Sequence, residues 1–225
     1  MNKFGDRTQI MKKIIGTFLA SVSLSSCAKQ KNILVPKSIE SKNMETKDRM
    51  EVATFAGGCF WCTEAVFLEL IGVKTVVSGY IGGKTLNPTY KEISNGDTGH
   101  AEAIEITYDP AKISFGELLE IFFATHDPTT LNRQGNDIGT QYRSEIFYNN
   151  PDQKQLSEDY IALMTTENTF GKPIVTKITP ATTFYVAEEY HQNYYNQNKT
   201  QGYCSYVITP KIDKLKKLYQ EKLKK

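Results

Sequence analysis

Apolar and polar positions change rhythm several times along the chain, and each change predicts an element. Residues 52–56 form a β-leaning run ended by Gly57-Gly58. Val66, Phe67, Leu70 and Ile71 then recur at helical spacing, so a helix is predicted over 62–70, just after the glycines. Residues 73–80 are β-rich and close at Gly82-Gly83, and residues 101–108 alternate as a strand. Ser114 and Glu117 make a capping-box pattern that opens an apolar helix over 115–124, ending before Pro128. A short strand is predicted over 145–148. Asn150-Pro151 is a helix start, and Leu156, Tyr160, Leu163 and Met164 give a stripe that carries this helix to about Phe170. A strand over 174–178 follows. Thr209-Pro210 opens a last helix through Leu215 and Leu218, whose many lysines read as a solvated face. Strands and helices mix without a strict βαβ rhythm, which predicts the α+β class.

The apolar run over 14–24 is of a different kind. It has about eleven residues, too short for a bilayer, which takes ~20, and Lys12 and Lys13 precede it as in a secretory signal. Leu24-Ser25-Ser26-Cys27 then resembles a bacterial lipobox, in which the cysteine is lipidated and becomes the mature N-terminus. Met11 is an alternative start to Met1. Residues 28–50 are polar and charged without a sustained period, and read as a flexible linker reaching on the order of 25 Å. Residues 51–225 have the size of one domain. The expected organisation is a lipoprotein-type signal over 1–27, a linker over 28–50 and a single domain over 51–225. It predicts an extracytoplasmic, periplasm-facing protein anchored in a membrane by lipid; the competing reading is a fortuitous apolar run on a cytosolic protein.

Composition adds mainly exclusions. Among 225 residues, 27 Lys and Arg against 25 Asp and Glu give a net +2, no electrostatic case for nucleic acid. An apolar fraction of 40% and a charged fraction of 23% exclude disorder, collagen and coiled coil. Four cysteines are too few for a disulfide-stapled scaffold.

The sharpest local signal is Gly57-Gly58-Cys59-Phe60-Trp61-Cys62-Thr63-Glu64. A cysteine after glycines and at a helix N-terminus meets free N–H groups that stabilise an anion, so its thiol pKa is expected to fall, making Cys59 a nucleophile candidate. Phe60 and Trp61 would line a pocket beside it. Cys59 and Cys62 form a C-x-x-C with three readings: a zinc half-site, a thioredoxin-like dithiol, or a nucleophile with a resolving thiol. Zinc needs a second ligand pair, and the domain offers only Cys204 without a His cluster, so no metal is expected. The dithiol reading lacks a local βαβ context. In Gly99-His100-Ala101-Glu102-Ala103-Ile104-Glu105-Ile106, alternation puts Glu102 on the face of Ile104 and Ile106, pointing inward, and Glu105 on the other. Burial would raise the Glu102 pKa and favour the neutral, proton-donating form. The stretch from Arg133 to Arg143, polar and glycine-punctuated, reads as a functional loop.

Gly58-Cys59-Phe60-Trp61, Gly79-Tyr80 through Asn87-Pro88-Thr89-Tyr90, Gly99-His100-Ala101-Glu102, His126-Asp127-Pro128, Arg133 to Arg143, Tyr190-His191-Gln192 and Gly202-Tyr203-Cys204 occur in that order. Together they resemble the peptide methionine sulfoxide reductases of the A type, which act on the S epimer. The resemblance implies a two-layer sandwich around a ferredoxin-like core. It implies that Cys59 attacks the sulfoxide sulfur, that Glu102, Tyr90 and Tyr142 bind and protonate the sulfoxide oxygen, and that Phe60 and Trp61 hold the S-methyl group. Asp137 and His191 match positions near the site. Methionine leaves, Cys59 becomes a sulfenic acid, and a second thiol condenses with it. A thioredoxin-like dithiol is the implied external reductant, with no bound cofactor. The substrates implied are free methionine sulfoxide and oxidised proteins or peptides, and the chain is expected to be a monomer. One departure stands out: many members carry Gly where this chain has Cys62, and resolve with a C-terminal cysteine. Cys62 and Cys204 are both candidates, with Cys204 expected in a mobile tail. Two rivals are a thiol–disulfide oxidoreductase using Cys59 and Cys62, and a lipoprotein binding module with a fortuitous dithiol.

Overall fold

In the computed structural model, the described residues are 50–225; the signal, Cys27 and most of the linker lie outside them. Strand β1 (Glu51–Gly57), helix α1 (Phe60–Leu68), strands β2 (Val73–Ile81) and β3 (Ala101–Tyr108), helix α3 (Phe115–Thr125) and strand β6 (Ser144–Tyr148) form a βαββαβ unit. Its strands lie in the order β6-β1-β3-β2 with every neighbour antiparallel, the ferredoxin-like arrangement. Strand β7 (Lys177–Pro180) extends one edge in parallel, and β8 (Tyr185–Val186) caps the other. The short helix α2 (Tyr90–Asn95) and the hairpin β4 (Arg133–Gln134) and β5 (Asp137–Ile138) sit in the connections, and α4 (Pro151–Thr166) follows β6. Among the described residues, no helix is long and apolar enough to cross a membrane.

Strand pairing decides which side chains meet the helices. Phe55 on β1 pairs with Ile104 on β3 and Ile146 on β6, so all three share one face. On that face Phe55 packs against Phe67 of α1 at 5.8 Å, and against Phe115 and Phe122 of α3 at 5.8 and 4.8 Å between ring centroids. Glu102 shares the face and is 2% exposed. The opposite face has a small core of its own, with Ala56, Ile81, Ala101, Ala103 and Phe147 under Ala181 and Phe184.

Several boundaries differ from the sequence expectation for physical reasons. Helix α1 begins at Phe60 rather than Cys62, because Cys59 is its N-cap. It stops at Leu68, and Leu70 instead bridges to Leu223. Helix α4 ends at Thr166, short of Phe170, because Asn168 and Gly171 take left-handed backbone. Its buried side is Gln153, Ser157, Tyr160 and Met164, while Leu156 is exposed. The Gln153 amide donates to the Val52 carbonyl at 2.7 Å, so that helix docks partly through a polar contact invisible to an apolar count. The strand expected at 174–178 lies at Lys177–Pro180, since the Val175 N–H is taken by the Pro128 carbonyl. The last helix, α5 (Thr209–Leu218), is preceded by a π-helical turn (Cys204–Ile208). Cys204 is therefore fully buried rather than part of a mobile tail.

Phe55 joins both helices to the sheet, so its removal tests the whole layer. Phe55→Ala is expected to cost about 3–5 kcal/mol of unfolding free energy, measured by urea denaturation, with an unchanged midpoint contradicting this packing scheme.

Candidate active site

The site is built where β1 hands over to α1. Gly57 leaves no room for a side chain, since a Cβ there would meet the Phe122 ring at 2.8 Å. Gly58 has φ +93° and would press a Cβ onto Gln134 at 2.5 Å. The glycine pair thus turns the strand directly into the helix with Cys59 as N-cap. Its side chain makes no capping bond. The first helical N–H, that of Phe60, instead donates to Glu102 Oε2 at 3.1 Å.

That bond reverses one expectation. A helix terminus lowers a thiol pKa only when its N–H groups face the sulfur, and here Phe60 N–H faces the carboxyl. Cys59 is pushed well up, by burial first, then by its hydrogen bond with the Cys62 thiol and by Glu102. The hydrogen bond from Cys59 draws Cys62 down to about 7, with Lys211 helping. Burial pushes Glu102 up to about 8, against the opposing Phe60 N–H and with help from Asp137 and Cys62. At neutral pH Glu102 is a neutral acid beside a protonated Cys59.

Two tyrosines come to the same place from different elements. Tyr90 opens α2, whose start is fixed by the reciprocal Thr89–Glu92 capping box, and its N–H donates to Glu188 at 2.8 Å. Glu188 also accepts from the Tyr80 hydroxyl at 2.8 Å, tying α2 to β2. Tyr142 closes a 3₁₀ turn (Thr140–Tyr142). Burial and then Glu102 raise both phenols, so both remain O–H donors at neutral pH. The buried Glu102 and Cys59 and the half-buried Tyr90 and Tyr142 are electrostatic neighbours.

The apolar side of the pocket comes from α1. Phe60 is 1% exposed and lies against Tyr80 and His191. The Trp61 indole N–H donates to His191 Nδ1 at 3.1 Å, and its ring stacks on Tyr194 at 3.7 Å with 7° between planes. Accepting at Nδ1 puts the neutral ring's proton on Nε2, which has no hydrogen-bond partner; the Glu188 carboxylate is 4.0 Å away. Burial lowers the His191 pKa, so this ring orients Trp61 as a neutral acceptor. Asp137 accepts from the Tyr203 hydroxyl at 2.7 Å, and that hydroxyl lies 3.7 Å from Cys62 Sγ.

Other motif residues are scaffold. His100 accepts from Gly83 N–H at 3.1 Å and bonds the Thr85 carbonyl, fixing the loop before α2. His126 is buried between the Phe122 carbonyl and the Ser144 hydroxyl. Three donor side chains in the stretch from Arg133 to Arg143 are spent locally. Gln134 bonds both backbone groups of Asp127, Arg133 bonds the Gly135 carbonyl, and Arg143 pairs with Glu145 at 2.5 Å. Within that loop, Asp137 and Tyr142 are the residues that reach the pocket. Sequence reasoning gave no role to Tyr203, Glu188 or Tyr194. Tyr203 stands next to a cysteine that drew attention, and Glu188 and Tyr194 flank His191, but no periodicity marks them. Among the described residues, no cluster of His, Cys, Asp or Glu is arranged to hold a metal.

A thiol, a neutral carboxylic acid and two phenols facing an aromatic wall make a site for reducing a polar, oxygen-bearing sulfur. Comparison with known proteins points the same way. The profile of the family described as peptide methionine sulfoxide reductase matches residues 51–223. The peptide methionine sulfoxide reductase MsrA of Deinococcus radiodurans is 54% identical over 193 residues, covering 86% of this chain and 94% of that protein. MsrA 1 of Rhodopirellula baltica is 53% identical over 190 residues, covering 84% and 98%. Among solved structures, methionine sulfoxide reductase A of Corynebacterium diphtheriae superposes with a TM-score of 0.62 at 37% identity, covering 72% of this chain and 80% of that one. Reduced Mxr1 from Saccharomyces cerevisiae gives 0.63 at 34% identity, covering 69% and 89%. With a matching profile over nearly the whole described domain, the chain belongs to the peptide methionine sulfoxide reductase family.

Proposed function

We propose that the chain reduces the S epimer of methionine sulfoxide, free and in proteins, with Cys59 as nucleophile and Glu102 as proton donor. The observation that carries this assignment is the neutral Glu102 carboxyl, buried and fixed by the Phe60 N–H at the residue next to Cys59. Cys59 sulfur attacks the sulfoxide sulfur while Glu102 gives its proton to the oxygen, which becomes more basic as the S–O bond weakens. Tyr90 and Tyr142 donate hydrogen bonds to the same oxygen, and Phe60 and Trp61 receive the S-methyl group. The S–O oxygen passes to Cys59 as a sulfenic acid, methionine leaves, and the thiol proton makes good the one Glu102 gave.

Cys62 resolves the sulfenic acid. Its thiol is hydrogen-bonded to Cys59 and drawn down, which makes it the ready attacker. Condensation forms the Cys59–Cys62 disulfide and releases water. Asp137, through Tyr203, holds a hydroxyl against Cys62. Burial and then Cys62 push the Cys204 thiol up, so Cys204 takes part only in a later exchange. A thioredoxin-like dithiol returns the enzyme to its reduced form. The alternative, a thiol–disulfide oxidoreductase built on Cys59 and Cys62, is disfavoured by the match to the methionine sulfoxide reductase family over residues 51–223. On this reading the enzyme acts as a monomer. It works outside the cytosol, facing the periplasm, held by lipid on Cys27 at the end of a signal over 1–27 and a linker over 28–50. The Leu24-Ser25-Ser26-Cys27 pattern supports that placement.

Single turnover without external reductant is expected to yield methionine from the S epimer and none from the R epimer, and Cys59→Ser is expected to yield none from either. Glu102→Gln is expected to slow the same step by about 10²-fold or more. It should also stabilise the fold. Below the unfolded pKa both states hold the proton, whereas between there and about 8 the native state keeps a proton that the unfolded chain releases, and stability falls. The gain in unfolding free energy from Glu102→Gln should therefore be larger at pH 8 than at pH 5. An equal gain at both would contradict a neutral Glu102.

Peptide mapping after one turnover should show Cys59 joined to Cys62 in Cys204→Ser, whereas Cys62→Ser should accumulate a sulfenic acid trapped by dimedone. A disulfide that survives loss of Cys62 and disappears on loss of Cys204 would reverse the assignment. For the anchor, labelled fatty acid should enter the wild type in a bacterial host and not Cys27→Ala; an unlabelled wild type in the soluble cytosolic fraction would refute it.

A further inference from the structure

Glu64 is a carboxylate with 1% exposure on α1, five residues beyond Cys59, and the mechanism makes no use of it. Its oxygens accept two backbone N–H groups, Asn193 at 2.8 Å and Tyr194 at 3.3 Å. Burial pushes its pKa up to about 6, so at neutral pH it is ionised and both oxygens accept. A buried charge is costly unless it is hydrogen-bonded, so the carboxylate and the two N–H groups hold each other in place.

The segment that it grips is the one that frames Trp61. His191 accepts the indole N–H, and Tyr194 stacks on the indole face. Between them, the Gln192 side chain accepts from Ser78 N–H and donates to the Ser78 carbonyl, both at 2.9 Å, pairing with β2 much as a strand would. Gln192 therefore fixes this segment to the sheet, and Glu64 fixes it to the helix that carries Cys59 and Trp61. Asn193, which links the two anchors, has φ +51°, a left-handed backbone that Asn tolerates and that needs holding.

We propose that Glu64 is a positioning residue for the substrate pocket, acting through Tyr194 to fix the Trp61 ring against which the S-methyl group packs. This rests on the reading of Trp61 as pocket wall. It predicts a loss in substrate binding rather than in the attack by Cys59. A carboxylate is required because an amide offers one oxygen for two donors, and in Glu64→Gln the NH₂ would face one of the two backbone N–H groups.

Trp61 is the single tryptophan of the chain, so its fluorescence reports the pocket without any turnover. For wild type, Glu64→Gln, Tyr194→Leu and the double variant, Trp61 emission and steady-state reduction of the blocked S epimer would be measured. Glu64→Gln is expected to shift the Trp61 emission and to raise KM by about tenfold with kcat within about twofold of wild type. Tyr194→Leu should do the same, and the double variant should be no worse than the more impaired single one. A folded Glu64→Gln with wild-type KM and emission, or losses that multiply in the double variant, would overturn the proposal. Should Glu64→Gln fail to fold, Glu64→Asp withdraws the acceptors by one methylene and carries the same expected and overturning results. A wild type without turnover would sink the pocket reading instead, and the emission shift would still decide whether Glu64 holds Trp61.

Discussion

The hydrogen bond from Phe60 N–H to the Glu102 carboxyl fixes the relation between the two groups on which the chemistry depends. It spans 42 residues of sequence and joins the first turn of α1 to the start of β3. It exists because three independent features coincide: glycines that turn β1 into α1 within two residues, a β3 register that points Glu102 at the helices, and Phe55 packing that seats both helices on that face. The same bond holds Glu102 in place, while burial first, then the hydrogen bond with Cys62 and the Glu102 carboxyl, keep Cys59 protonated.

Burial then sorts the ionisable groups into roles. Glu102 and Glu64 are both buried carboxylates, yet Glu102 is pushed to about 8 and Glu64 only to about 6. Burial is the largest push on both; it is opposed by one N–H for Glu102, which Asp137 and Cys62 push further up, and by two N–H groups and Ser78 for Glu64. One carboxyl is therefore neutral and donates, and the other is ionised and holds a segment of backbone. The neutral one is a standing destabilisation at neutral pH, tolerated because the reaction requires it.

What the sequence made legible was whatever is local. Residues 101–108 read as a strand and are β3 to the residue, because a central strand shows its alternation plainly. The Ser114 and Glu117 box is complete within four residues and starts α3 as expected. The motif residues Cys59, Phe60 and Glu102 stand out in the sequence for the same reason, since glycines, aromatics and alternation flag them within short windows. What escaped was long-range. The state of the Cys59 thiol depends first on its burial, which no short window of sequence shows. Cys204 is buried by a π-helical turn that has no apolar signature, and Glu64 looks like an ordinary surface residue of a helix until its partners 129 and 130 residues away are seen. The loop from Arg133 to Arg143 shows the converse, since richness in donors reflects its own internal bonding as much as the pocket.

The burial of Cys59, Cys62 and Cys204 bears on how such an enzyme survives its working conditions. Peroxides react with thiolates, and a buried, protonated Cys59 offers them little thiolate and little access. On the mechanism proposed above a sulfoxide fares differently, because it brings the oxygen that Glu102 would protonate. Discrimination between the lesion and the oxidant that made it would then lie in who supplies the activation.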